Sequence, residues 1–262
     1  MVHMVLLMRF LVLVASSVKS SADKALVLGD SWAEYSLETL QEKCDTITSM
    51  VNRGIAGTTA AEWAAKDNCA TKPPDSLCCR STGSCSLDDV SFNDTFRTAW
   101  VSIGGNDFFL TGCSAAPATL SAIQANIQKV VADLQALSPQ TTIVLTGYSV
   151  PSSPLTWHPS PSCSEFSALL PLNAAVKAAA EAQSVDYVDV SQVMGGNATQ
   201  YSDAQFYADS IHLNEAGYRQ LWDHPPLQAA MQCLLGQSVS GAPRKLKGAS
   251  LASLAVILPW MR

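Results

Sequence analysis

The sequence predicts an α/β fold, a three-layer α/β/α sandwich built on about five parallel strands. Three observations carry that prediction. Short apolar runs alternate with longer helix-like segments, and strands separated in this way run parallel and are joined by right-handed crossovers. The runs break at glycine-bearing turns such as Gly29-Asp30-Ser31 and Gly104-Gly105-Asn106, where a strand hands over to the next element. Finally, 262 residues, 48% hydrophobic and only 15% charged, suit one sizeable domain with a substantial core.

Lys24 to Gly29 is the first strand, and Ala33 to Lys43 its helix. Ile47 to Asn52 reads as the second strand, followed beyond Gly54 and Gly57 by a helical stretch from Thr58 to Lys66. Residues 68–94, rich in Cys, Ser and Asp, form an insert held by disulfides rather than by a core. Thr98 to Ile103 is the third strand. Ala118 to Leu137 is a long amphipathic helix with Leu120, Ile123, Ile127, Val130, Val131 and Leu134 on one face. Thr141 to Leu145 is the fourth strand, and a Pro/Ser-rich loop runs from Val150 to Ser164. Phe166 to Ser184 is helical, with Pro171 either kinking it or marking its start. Val185 to Val190 is the fifth strand, and Leu213 to Leu235 holds the last helix, interrupted at Pro225-Pro226.

The net charge of -6 and the absence of a long Lys/Arg run argue against nucleic acid as a partner, because phosphate binding needs a basic face. Residues 1–22 are apolar and end in small residues, with Ser20 and Ala22 at the positions a signal peptidase reads, so the expectation is a cleaved secretory signal and a secreted chain. All eight cysteines lie after that point and their number is even, so up to four disulfides are expected. Zinc is the rival reading for Cys69, Cys78, Cys79 and Cys85, but these show no C-x-x-C pair. Asn93 and Asn197 head glycosylation triplets.

In open α/β sheets, ligands bind beyond the carboxyl ends of the strands. Ser31, Gly57, Gly104-Gly105-Asn106-Asp107 and Asp209-Ser210-Ile211-His212 all follow strands. An acyl-transfer site needs a nucleophile, a base, a carboxylate to hold the base, and donors for an oxyanion. Ser31, at a helix start, is the candidate nucleophile, with a plain N-cap serine as the alternative. His212 is the candidate base, and Asp209, three residues before it, the orienting acid. The Asn106 amide and the backbone N–H groups of Gly57 and Ser31 are candidate oxyanion donors. Gly195-Gly196-Asn197 is a second Gly-Gly-Asn, but it lacks the following Asp. His158 and His224 lie in proline-flanked stretches read as surface loops, and Trp32, Trp63, Trp157 and Phe108 could serve as core, apolar wall or sugar platform.

Gly29-Asp30-Ser31-Trp32, the glycine of Ile55-Ala56-Gly57-Thr58-Thr59, Gly104-Gly105-Asn106-Asp107 and Asp209-Ser210-Ile211-His212, in this order, resemble the four blocks of the SGNH, or GDSL, hydrolases. The resemblance spans roughly Lys24 to Leu235. It implies a flavodoxin-like sandwich over residues 23–236 and ester hydrolysis through an acyl-enzyme. Ser31, His212 and Asp209 would be nucleophile, base and acid, and Ser31, Gly57 and Asn106 the oxyanion hole. No metal or cofactor is implied. The expected partner is an ester of a small molecule, a carbohydrate or a lipid. Transfer to an alcohol on the same site, or a non-catalytic secreted binding protein, are the alternatives.

The 237–262 tail is read as peripheral or disordered, against a lipid-anchor signal with attachment at Ser238 to Gly241. Membrane association is not expected except through such an anchor. The sequence carries no signal for oligomeric state.

Overall fold

The computed structural model describes residues 24–66, 85, 87, 96–155 and 160–233. The expected signal, most of the 68–94 insert with Asn93, the Trp157-His158 pair and the tail lie outside the described residues. Five strands form one parallel sheet: β1 (Lys24–Gly29), β2 (Ser49–Gly54), β3 (Thr98–Ser102), β4 (Thr142–Thr146) and β5 (Asp186–Val188). Their order is β2-β1-β3-β4-β5. This is the flavodoxin-like arrangement, and the chain reverses its direction of travel across the sheet between β1 and β3. Every residue of β3 and β4 is buried, whereas β2 at one edge is only half-buried throughout. Strands covered on both faces are continuously apolar for that reason.

The helices are α1 (Ser31–Tyr35), α2 (Leu37–Lys43), α3 (Ala60–Ala65), α4 (Gly105–Leu110), α5 (Pro117–Leu137), α6 (Leu170–Gln183), α7 (Glu215–Trp222) and α8 (Pro225–Ala230). In one layer α5 packs against α3 and α6; in the other α7 packs against α2 and α8. The α5 stripe turns Ile123, Ile127, Val130, Val131 and Leu134 into the core, with Leu120 at its margin. On the opposite side Trp100 meets Trp222 edge to face, ring centroids 4.8 Å apart, and the Trp100 indole N–H donates to Thr146 Oγ1 at 3.0 Å. Trp32, Trp63 and Phe108 are likewise buried, so the fold uses them as core.

Several boundaries differ from expectation. The single helix over Ala33–Lys43 is two, broken at Ser36. Ser36 Oγ donates to the Ala33 carbonyl at 3.0 Å, and Asn52 Nδ2 donates to the Glu34 carbonyl at 2.9 Å, so side chains take the carbonyls that would have continued the helix. β2 is shifted two residues onward because Gly54 must pair with Gly29, and a side chain there would run into the α1 backbone at 2.2 Å. The expected fifth strand shortens to three residues, and the 166–184 helix starts only at Leu170, with Pro171 in its first turn. Pro225 opens α8 rather than interrupting α7. α4 was not expected at all: Gly104-Gly105 reads as a breaker, yet it is the start of a helix.

Two disulfides join distant parts. Cys44–Cys233 ties the end of α2 to the segment after α8, and Cys113–Cys163 ties the turn after α4 to the Pro/Ser-rich loop. Cys85 is disulfide-bonded as well. Among the described residues no His/Cys/Asp/Glu cluster could hold a metal ion, and no helix is long and apolar enough to cross a membrane.

Candidate active site

β1 ends at Gly29, whose φ of +141° suits glycine and whose missing side chain lets the Ser102 carbonyl of β3 come close. The next residue, Asp30, is the N-cap of α1: its Oδ1 accepts from Trp32 N at 3.1 Å. Ser31 is therefore the first helical residue and not the cap, which disposes of the N-cap alternative. With only five residues α1 has little macrodipole, so what it offers is the unpaired N–H of Ser31 itself.

The segment before α7 crosses above α1. Trp32 Nε1 donates to the Ile211 carbonyl at 3.1 Å, and Tyr218 Oη donates to the Trp32 carbonyl at 3.1 Å. These bonds set His212 over Ser31, with Nε2 3.1 Å from Oγ. On the other side His212 Nδ1 stands 2.6 Å from Asp209 Oδ2, while Asp209 Oδ1 accepts from the backbone N–H groups of Ile211 and His212, both at 2.8 Å. Partial burial pushes the Asp209 carboxyl up, but the hydrogen bonds from the His212 backbone and ring and from Ile211 outweigh it and hold it below its ordinary value. A serine, histidine and carboxylate so aligned can pass the hydroxyl proton to the ring while the carboxylate fixes the tautomer.

Asn106, in the first turn of α4, borders the same small cavity, of about 50 Å3, with Ser31, Trp32, Phe109, Tyr148, Ile211 and His212. Its Nδ2 donates one hydrogen to the Thr58 carbonyl at 2.9 Å, leaving the second amide hydrogen for another acceptor. Gly57 does not line that cavity; it lies one residue before Thr58, in a turn with φ +82°. The loop carrying it is held by its neighbours. The Ala56 N–H donates to Glu34, and Ala60 and Ala61 N–H donate to the Asp107 carboxylate at 2.6 and 3.1 Å. Burial pushes Asp107 up, only partly offset by those bonds. His224 caps α8 beside Asp189, away from this site, and Gly195-Gly196-Asn197 lies outside it too.

Sequence reasoning missed one feature. Asp30 and Tyr148 are both buried directly beneath the site, Tyr148 Oη donating to Asp30 Oδ2 and accepting from Gly105 N at 3.0 Å. Burial pushes the Asp30 carboxyl up to about 7, against the hydrogen bonds from Tyr148 and Trp32 and the attraction of His212. Tyr148 stands two residues past β4, so the strand-end rule that found the others points to it as well.

A five-stranded parallel sheet in this order, with Ser31 directly after β1, defines a flavodoxin-like three-layer α/β/α protein, and the sequence holds no G-x-S-x-G motif of the other large serine-hydrolase class. Solved structures of similar fold include a GDSL-like lipase from Bacteroides thetaiotaomicron (17% identity, 80% of this chain and 88% of that one, TM-score 0.54). They also include an acetyl xylan esterase (13%, 79% and 98%, TM-score 0.52) and a mutant acetyl-xylooligosaccharide esterase from Geobacillus Stearmophilus (16%, 80% and 94%, TM-score 0.51). No curated protein sequence matches the chain. The model of the GDSL-like lipase/acylhydrolase family matches residues 20–220, and the chain belongs to that family.

Proposed function

We propose that the protein is a serine ester hydrolase that works through an acyl-enzyme. The observation that carries this reading is the continuous contact from Ser31 Oγ to His212 Nε2 and from His212 Nδ1 to Asp209 Oδ2. In the proposed mechanism His212 takes the Ser31 proton as Oγ attacks the ester carbonyl. The oxyanion is held by the Ser31 N–H and the second amide hydrogen of Asn106, with the Gly57 N–H as third donor. Collapse expels the alcohol, which leaves with the proton from His212. Water then attacks the acyl-enzyme, His212 accepting its proton; the acyl–Oγ bond breaks, Ser31 Oγ takes that proton back from His212, and the acid is released.

The cavity beside Ser31, about 50 Å3 and walled by Trp32, Phe109 and Tyr148, supports a short acyl group. Acetylated carbohydrate is the first substrate class to try, since two of the similar folds belong to esterases of acetylated xylan and its oligosaccharides. The cysteine pairing supports a protein made in an oxidising compartment, and we assign residues 1–22 as its leader and 23–236 as its hydrolase domain. Release of acid from p-nitrophenyl acetate and from acetylated xylooligosaccharides tests the reading, with and without an added alcohol to expose transfer. Ser31→Ala is expected to remove turnover by several orders of magnitude, and Asn106→Ala to lower it by about 10² to 10³. Full activity in Ser31→Ala would overturn the assignment.

A further inference from the structure

We infer that Asp30 and Tyr148 are positioning residues, a buried strut that sets the spacing between the Ser31 N–H and the Asn106 amide. The inference rests on the reading of Ser31 as nucleophile and concerns how its oxyanion donors are held.

Both donors stand at helix starts, where backbone N–H groups lack partners within the helix. α1 solves this locally: the Asp30 side chain caps it through Trp32 N at 3.1 Å. α4 has no such means, because its N-cap is Gly104, with no side chain to accept a bond. Its first N–H, that of Gly105, goes instead to Tyr148 Oη at 3.0 Å. Tyr148 thus caps α4 from a different part of the chain. Its own proton then goes to Asp30 Oδ2, so the caps of the two helices share one hydrogen bond. From Trp32 N to Gly105 N the connection runs only through the carboxyl of Asp30 and the hydroxyl of Tyr148. Ser31 and Asn106 are the immediate neighbours of its two ends.

The surroundings leave this strut no freedom. Tyr148 is fixed on both sides of its backbone by Asn173, whose Oδ1 accepts from Tyr148 N at 2.8 Å and whose Nδ2 donates to its carbonyl at 2.7 Å. Its ring lies edge to face with Trp32, 5.3 Å between centroids. Gly105 leaves room for this approach: a Cβ there would lie 3.0 Å from Tyr148 Cζ and 3.3 Å from Asp30 Oδ2, pressing on both members of the strut. Asp30 and Tyr148 are each only 2% exposed, so a partner lost there leaves a poorly solvated polar group. An oxyanion hole depends on donors held at a fixed spacing before reaction, and a misplacement of about 1 Å can cost about 10²-fold in rate.

The test uses Tyr148→Phe, Asp30→Asn and the double variant, with p-nitrophenyl acetate as substrate and Ser31→Ala as control. Sites are counted by titration with a fluorophosphonate, so that kcat refers to folded, reactive protein, and Tm is measured for each. Tyr148→Phe keeps the ring but orphans the Gly105 N–H; Asp30→Asn keeps the α1 cap but turns an acceptor towards Tyr148 into a donor. The expected result is a fall of about 10- to 100-fold in kcat per titrated site for Tyr148→Phe, with KM changed by less than about twofold. Asp30→Asn should fall in the same direction, and the double variant no further than the worse single. Wild-type kcat per site in the soluble single variants, whatever their Tm, overturns the strut. If Tyr148→Phe does not fold, Asp30→Asn decides by the same criterion. Turnover retained in Ser31→Ala, by contrast, overturns the underlying reading and the strut with it.

Discussion

On the proposed mechanism, replacing Asp209 by asparagine should be at least as damaging as replacing it by alanine. The geometry decides which way the new amide faces. Oδ1 of Asp209 accepts two backbone N–H bonds at 2.8 Å, from Ile211 and His212, so the amide oxygen must stay there and the NH2 must face His212 Nδ1. Nδ1 is then forced to accept, which places the ring proton on Nε2, the atom that has to receive the Ser31 proton. Turning the amide over would forfeit both backbone bonds, at about 1 kcal/mol each, so the productive tautomer falls to about one part in 30. Loss of the negative charge beside the imidazolium adds about 1 to 2 kcal/mol, modest because Asp209 is half exposed. Together these amount to a loss of about 300-fold in kcat, readable as initial rates on p-nitrophenyl acetate. Asp209→Ala forfeits the charge but leaves the tautomer free, so about 10- to 100-fold is expected. An Asp209→Asn variant more active than Asp209→Ala, or within about threefold of wild type, would refute the tautomer argument.

Three further outcomes are expected from other parts of the structure. Because the Asp30 carboxyl is raised to about 7 from an ordinary value of 3.8, the folded chain binds a proton that the unfolded chain releases between those values. Its contribution to stability is complete at low pH and is lost as pH rises through about 7, so the unfolding free energy of wild type from urea titrations should fall by about 2 to 3 kcal/mol between about pH 5 and 8 relative to Asp30→Asn. Parallel profiles for the two proteins would contradict this. Cys44 and Cys233 are 189 residues apart in sequence, and replacing both by serine should cost about 2 to 5 kcal/mol in thermal or urea unfolding while leaving kcat per titrated site unchanged. Gly29→Ala would place a Cβ 1.7 Å from the Ser102 carbonyl oxygen at a φ of +141°, and should leave little soluble protein on expression at an ordinary temperature.

What could be read ahead of the structure depended on whether the determinant was local. β1 was legible to the residue because an apolar run ends at a glycine whose added Cβ would strike Ser102; Ser31 and Asn106 stood out as candidates because they come soon after β1 and β3, whereas Asp209 and His212 lie well beyond β5 and stood out by their spacing just before α7. The break at Ser36 was not, since it depends on Asn52, which reaches α1 only once β2 lies beside β1. α4 was hidden for the same reason. Its first N–H is satisfied by Tyr148, a residue more than forty positions away, while its own cap position is a glycine that locally signals an end rather than a beginning. Gly57, read from the sequence as an oxyanion donor, sits in a turn with positive φ whose setting depends on bonds from Glu34, Asn106 and Asp107 to the residues around it, none of which the local sequence shows.

That Ser31 is an activated nucleophile is tested most directly by covalent capture. The purified protein is treated with a serine-reactive fluorophosphonate, digested, and the modified peptide identified by mass spectrometry. One label per chain is expected, on Ser31, absent in Ser31→Ala and acquired far more slowly in His212→Ala. A folded wild-type protein that takes up no label, or takes it at another serine, would contradict the assignment of Ser31.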